Sequence, residues 1–382
     1  MAAGALPDFP WDTLAEVTAR ARAHSGGIVD LSVGTPVDPT PGVIRQALAA
    51  AADCSGYPPT AGTPELRDAV VEWFGRRRRV PDLRPDEVLP TLGSKEFVAL
   101  LPSLLGLGPG DVVAHPQVAY PTYDVGARLA GATPEACADP AARLDADASG
   151  AVRLVWLNSP SNPDGLVASA AQLRAIVLAA RAAELRHGRP VIVAADECYA
   201  ELAWDEPWAS QGVPSLLDPR VTGGDRGGLL AVYSLSKQSN LAGYRAAFVA
   251  GDRELVGRLL EVRKHAGFMV PGPVQAAMVA ALGDDEHVAV QRARYARRRR
   301  LLAAAFGEAG YLVDGSHAGL YLWVRPAGAG QDSRATVADL AELGILAAPG
   351  AFYGPAGDGH VRVALTASDE RIGEACARLA GA

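Results

Sequence analysis

Leu229-Leu230-Ala231-Val232-Tyr233-Ser234-Leu235-Ser236-Lys237 decides how this chain is read. Five apolar residues in a row, ending abruptly, suit a short strand buried on both faces. Two serines and a lysine follow, so a polar cluster sits at the strand's carboxyl end. Thirty-six residues are Lys or Arg, and only Lys95, Lys237 and Lys264 are lysines. A desolvated amine can lose its proton and attack a carbonyl, whereas a guanidinium stays charged. Lys237 is therefore the candidate covalent centre. Lys264, in the amphipathic run of residues 258–264, reads as a solvated helix-face charge. Lys95, directly after Gly93-Ser94, reads as a loop charge or as the neighbour of a bound phosphate.

The same pattern repeats outward from that strand. Residues 88–92 read as a strand running into Gly93-Ser94-Lys95, and residues 111–114 as one followed by Tyr120-Pro121-Thr122-Tyr123. Residues 154–157 end in Asn158-Ser159-Pro160-Ser161-Asn162-Pro163-Asp164-Gly165, and residues 191–195 in Asp196-Glu197-Cys198-Tyr199. A shorter strand is expected at residues 28–33 and another at 246–250. Helices are expected from Pro41 onward, over residues 65–79, and between the strands. Apolar strands alternating with helices predict an α/β fold with a mostly parallel sheet covered on both faces. Ligands bind such sheets at the carboxyl ends of the strands, where these polar clusters lie. The last hundred residues change character, with a long helix near 289–306 and strands at 320–324 and 360–365, which suits a smaller α+β domain.

Composition narrows the class. Hydrophobic residues make up 49% of the chain, enough for a large core, and the net charge of −7 offers nucleic acid no basic face. No stretch approaches the ~20 apolar residues of a membrane span. Met1 to Pro10 lacks the basic and apolar regions of a secretory leader. Four scattered cysteines and seven histidines show neither a disulfide framework nor metal-ligand spacing. The chain reads as a reduced, soluble, cytoplasmic protein. The runs Arg76 to Arg79 and Arg297 to Arg300 read as solvated helix faces or intersubunit ion pairs.

A lysine holding an aldehyde cofactor such as pyridoxal 5′-phosphate needs four kinds of support, and the strand ends offer each. Asp196 can keep a ring nitrogen protonated. Tyr199 and Asn162 can donate to a phenolic oxygen. Backbone amides of Ser94 and Lys95 at a helix start, with Ser234, Ser236 and Arg245, can hold a phosphate. Tyr120 can stack on the ring.

These motifs resemble those of the class I/II pyridoxal-phosphate aminotransferases, in order and over nearly the whole chain. Ser234-Leu235-Ser236-Lys237, with Arg245 eight residues on, resembles the pyridoxal-lysine signature. The Asn158–Gly165 segment resembles Asn-Pro-x-Asn-Pro-Thr-Gly, with Asp164 where Thr is usual, and Asp196-Glu197-Cys198-Tyr199 resembles Asp-Glu-x-Tyr. Tyr57, Gly62 and Leu66-Arg67 resemble the block whose Tyr reaches the phosphate of a neighbouring subunit, which implies a homodimer with shared sites. Arg362 resembles the arginine that grips the substrate α-carboxylate, and Gly34-Thr35-Pro36 the segment lining that pocket. An aromatic residue is frequent in the family where this chain has Gln117.

The resemblance implies fold type I, the aspartate aminotransferase-like architecture. It also implies a large cofactor-binding domain over residues 42–272 and a small domain from 1–41 and 273–382. Lys237, Asp196 and Tyr199 are the implied catalytic residues, with Gly34, Asn162 and Arg362 at the substrate. A narrower resemblance, to N-succinyldiaminopimelate aminotransferases, rests on Phe9-Pro10-Trp11-Asp12-Thr13-Leu14, residues 29–39 and Val262-Arg263-Lys264-His265-Ala266-Gly267. It implies transfer between glutamate/2-oxoglutarate and N-succinyl-2-amino-6-ketopimelate, in diaminopimelate and lysine biosynthesis. Aspartate, alanine or aromatic aminotransferases and a cysteine-conjugate β-lyase share these motifs and stand as alternatives.

Overall fold

Residues 28–33 form only a two-residue strand, β1 (Val29–Asp30), in the computed structural model, which describes residues 6–328 and 332–381. The strand stops early because Asp30 turns the chain: its Oδ1 accepts from the Ser32 amide at 2.9 Å and the Ser32 hydroxyl at 2.6 Å. The first half of the Met1 to Pro10 leader reading lies outside the described residues.

Residues 229–234 form an interior strand of a seven-stranded sheet. Its strands are β2 (Val88–Leu92), β3 (Val112–Pro116), β4 (Thr133–Cys137), β5 (Val152–Asn158), β6 (Ile192–Asp196), β7 (Leu229–Ser234) and β8 (Ala246–Gly251). They lie in the order β2-β8-β7-β6-β5-β3-β4. Only β8 runs against its neighbours, pairing antiparallel with both β2 and β7. Successive side chains point to opposite faces. Leu154, Trp156, Ile192, Ala194, Leu230 and Val232 pack with Phe97, Leu101 and Leu259 of helices Ser94–Leu104 and Arg253–Ala266. Val155, Leu157, Val193, Ala195, Ala231 and Tyr233 pack on the other side with Trp73, Val177 and Met278. Each leucine, isoleucine or valine among them contributes ~1.5–3 kcal/mol of burial. This second core runs through Ala281 and Leu282 of helix Gly272–Gly283.

A second sheet is built from the C-terminal third. Strands β9 (Tyr311–Asp314), β10 (Tyr321–Pro326), β12 (Ala348–Pro349) and β13 (Val361–Ala364) form an antiparallel sheet in the order β12-β13-β10-β9. Between them in sequence, β11 (Ile345–Leu346) pairs parallel with β1, tying the start of the chain to its end. Tyr295, Leu302 and Phe306 of helix Glu286–Glu308 and Ile372 and Leu379 of helix Asp369–Ala380 cover this sheet. No helix among the described residues is long and apolar enough to cross a membrane.

The two arginine runs depart from the expectation of solvated faces. Consecutive helical residues point in different directions, so each run splits between water and core. Arg78 and Arg298 are each 2% exposed. Arg78 donates to Glu197 at 2.7 Å and to the Val213 carbonyl at 2.8 Å. Arg298 grips both oxygens of Asp38 and reaches Asp369. Glu197 also accepts from Ser215 and from the Leu216 amide. Arg78→Ala would strand this carboxylate, and urea denaturation should register a loss of about 3–5 kcal/mol. A loss under ~1 kcal/mol would mean that the pair does not hold the segment after β6.

Candidate active site

Elements of both sheets and the helices around them converge on a cavity of about 440 Å³ at the carboxyl edge of the large sheet. Ser234, the last residue of β7, keeps an extended backbone, and its hydroxyl accepts from the Ser236 amide at 3.2 Å. That cap turns the chain into the short helix Leu235–Gln238 and points Lys237 into the cavity. The Lys237 amine donates to the Gly34 carbonyl. Burial lowers its pKa below the usual lysine value, and the charges of Arg362 and Arg245 push the same way. Position 34 must be glycine, because a Cβ there would run into the Tyr321 hydroxyl.

Asp196 closes β6, in register with Asn158 of β5 and Val232 of β7. Its Oδ2 accepts from the Tyr123 hydroxyl at 3.1 Å and its Oδ1 from the Cys198 amide at 3.2 Å. Burial pushes this carboxyl up, while the hydrogen bonds from Cys198 and Tyr123 pull it down. Among the described residues no other acidic side chain lines the cavity. A protonated ring nitrogen would give Asp196 the cationic partner it lacks here.

The anion end lies at the start of helix Ser94–Leu104. Its N-cap is Gly93, at φ +81° and without a side-chain cap, so the first-turn amides keep their polarity for a ligand. Arg245 lies against this turn, and a Cβ on Gly93 would collide with its guanidinium. Arg245 itself has φ +56°, an uncommon backbone for a non-glycine residue. It precedes the one reversed strand, β8, and for that reason sits at the same sheet edge as the carboxyl ends of the others. Ser94, Ser234 and Ser236 line the same region.

Arg362 projects from β13 and is 2% exposed. It donates to Asn162 Oδ1 at 2.9 Å and to the Ser32 carbonyl at 2.6 Å, and it lies 4.0 Å above the Tyr321 ring. Its Nε is buried without a partner, one donor left for a carboxylate. The Tyr199 hydroxyl meets that of Tyr321 at 3.3 Å, and burial raises the Tyr199 pKa well above the usual phenol. Tyr120 borders the mouth, its ring 6.2 Å from Trp11. The Lys95 ammonium stands 5.4 Å from the Tyr120 ring and 5.3 Å from Phe9.

The cavity thus gathers Gly34, Ser94, Lys95, Tyr120, Asn162, Asp196, Tyr199, Ser234, Ser236, Lys237, Arg245 and Arg362. Tyr57 does not join them; it is 93% exposed. Sequence reading passed over Tyr123, Tyr321, Cys198 and Trp11. Tyr123 had a signal, since it lies one helical turn from Tyr120 and inside a quoted cluster. Tyr321 had none, because Leu320-Tyr321-Leu322 reads simply as strand.

The donor set fits pyridoxal phosphate, with a lowered amine, an unpaired buried acid and an uncapped helix start beside an arginine. One cleft brings together a buried lysine, a buried carboxylate and two arginines, the kinds of group that a pyridoxal-phosphate enzyme needs. Residues 27–379 match the family "Aminotransferase class I and II", and the chain belongs to that pyridoxal-phosphate-dependent family. It is 55% identical to the 4-dedimethylamino-4-oxo-anhydrotetracycline transaminase OxyQ of Streptomyces rimosus, over 98% of this chain and 99% of that one. It is 56% identical to "Probable aminotransferase Rv1178" of Mycobacterium tuberculosis, over 98% and 85%. Among solved structures, a "probable N-succinyldiaminopimelate aminotransferase" from Thermus thermophilus superposes with a TM-score of 0.84 at 30% identity, covering 98% of this chain and 100% of the other.

Three lysines make the amine's state directly measurable. After reductive methylation with carbon-13, the Lys237 signal should titrate below the usual lysine midpoint in the cofactor-free protein. A midpoint at or above that value would contradict the desolvated amine.

Proposed function

We propose that this aminotransferase moves an amino group between glutamate/2-oxoglutarate and N-succinyl-2-amino-6-ketopimelate. The observation that carries the acidic preference is Lys95. It has no carboxylate partner among the described residues, and it lines the same cavity as Arg245, which this reading gives to the phosphate, and Arg362, which it gives to the α-carboxylate. A second carboxylate on the substrate would meet that remaining cation. The fold-wide likeness to the Thermus protein and the motifs at residues 9–14, 29–39 and 262–267 support the same diacid. Amination of a ring ketone is the second reading, favoured by the 55% identity to the tetracycline-pathway transaminase and by the aromatic mouth of Phe9, Trp11 and Tyr120.

When bound, pyridoxal phosphate supplies an electron-withdrawing ring that stabilises negative charge at the substrate Cα. Asp196 keeps the ring nitrogen protonated. Tyr199 and Asn162 donate to the phenolic oxygen. The amides of Ser94 and Lys95, with Ser234, Ser236 and Arg245, hold the phosphate. Arg362 binds the α-carboxylate and so fixes the direction of the Cα–H bond. Lys237 would take the Cα proton through its Nζ, and its lowered pKa makes it a base nearer neutral pH than an ordinary lysine. Tyr57 extends to the phosphate of a second copy, so the working unit is a homodimer, and we assign it to the cytoplasm.

Lys237→Arg should lower turnover by roughly 10²–10⁴-fold or more; full activity in that variant would end the assignment. Substrate choice is read by half-reactions. Protein bleached with glutamate should recover its visible absorbance with succinyl-amino-ketopimelate, and not with oxaloacetate or pyruvate. Recovery with a polycyclic ketone alone would favour the second reading. Lys95→Met should cut kcat/KM for glutamate by roughly tenfold, the worth of one charged hydrogen bond, and spare alanine.

A further inference from the structure

Tyr321 has no part in the chemistry above, yet it lies against Tyr199, Arg362 and Gly34. Its register explains why. In the β10–β13 ladder Trp323 faces Arg362 and Tyr321 faces Ala364, so Tyr321 and Arg362 are diagonal neighbours. The guanidinium lies 4.0 Å over the Tyr321 ring. The same ring fills the space that a side chain at position 34 would need, beside the carbonyl that accepts from Lys237. The ring is 4% exposed. Its hydroxyl has one hydrogen-bond partner among the described residues, the Tyr199 hydroxyl at 3.3 Å.

Two phenols that meet oxygen to oxygen must divide the roles of donor and acceptor. Geometry differentiates them. Arg362 stacks on Tyr321, and the Tyr321 hydroxyl lies against Gly34, whose carbonyl accepts from the Lys237 amine, so negative charge is better tolerated on the Tyr321 oxygen. Burial opposes ionisation of Tyr321, but Arg362 and Lys237 outweigh it and hold its pKa below the usual phenol. Burial and the neighbouring Tyr321 oxygen raise that of Tyr199. The more acidic phenol is the better donor.

We propose that Tyr321 is a positioning residue for Tyr199: its hydroxyl donates to the Tyr199 oxygen and leaves the Tyr199 proton directed at the phenolic oxygen of the cofactor. This rests on the reading of Tyr199 as donor to that oxygen. The pair also joins the carboxylate end of the cleft to its cofactor end, since Arg362 polarises Tyr321 and Tyr321 polarises Tyr199.

Tyr321→Phe tests it, because the ring, the stack on Arg362 and the wall beside Gly34 all remain. Removing the donor weakens the hydrogen bond from Tyr199, so the phenolate is less stabilised and the proton shared with the lysine–cofactor link is held more tightly. The midpoint of the visible-absorbance pH titration of the loaded enzyme should rise by about 0.5–1 unit. At neutral pH kcat should fall by roughly 3–10-fold, with KM for the amino acid changed by less than about twofold, since Arg362 keeps its stack. Tyr199→Phe should raise the midpoint further, and the double variant should match Tyr199→Phe alone, because Tyr321 acts through Tyr199. Additive shifts, or an unmoved midpoint in Tyr321→Phe while Tyr199→Phe moves, would overturn the relay and leave the role of Tyr199 standing. No shift in Tyr199→Phe would overturn both.

Discussion

The amine of Lys237 donates to the carbonyl of Gly34, a contact that spans the line between the large sheet and the segment tied to the second one. Taking an ammonium out of water is costly, and here it would also face Arg362 and Arg245. Burial and those two charges lower the pKa of the amine, against the opposing pull of Tyr321 and Cys198. Other features of the cleft serve that condition. The sheet supplies walls of apolar strands that exclude water, and its carboxyl edge supplies the polar groups. The reversed strand β8 returns Arg245 to that edge within a few residues of the lysine.

Much of this was legible because the chemistry sits where strands end. The strand at 88–92 has the expected bounds, and that at 229–233 gains only Ser234. The polar clusters after β2, β3, β5, β6 and β7 all contribute residues to the cavity. β4 escaped notice for a physical reason: Thr133-Pro134-Glu135-Ala136-Cys137 lies at the sheet edge, where proline and a charged residue are tolerated. Tyr321 escaped because a tyrosine in an apolar strand carries no mark of which neighbour its hydroxyl will find.

The arginine runs show a different limit. A run of four identical charges on a helix has no periodicity to read, so nothing in Arg76 to Arg79 distinguishes the buried Arg78 from its exposed neighbour Arg79. The distinction comes from Glu197, more than a hundred residues away, and from the Val213 carbonyl. Arg298 is likewise selected by Asp38 and Asp369, which lie near opposite ends of the chain. Buried charges of this kind fix the approach of distant segments while adding little to net stability.

The pairing of β1 with β11 has a consequence for synthesis on the ribosome. Residues 28–38 emerge early, but the strand that receives β1 and the arginine that donates to the Ser32 carbonyl come after residue 344. Domains form as units while the chain is still growing. The large sheet and the core that packs on it through helix Gly272–Gly283 are complete in sequence by residue 283, so a nascent chain can assemble the lysine side of the cleft some eighty residues before Arg362 exists. In the order of its making, one wall of the cleft stands before the other has been synthesised.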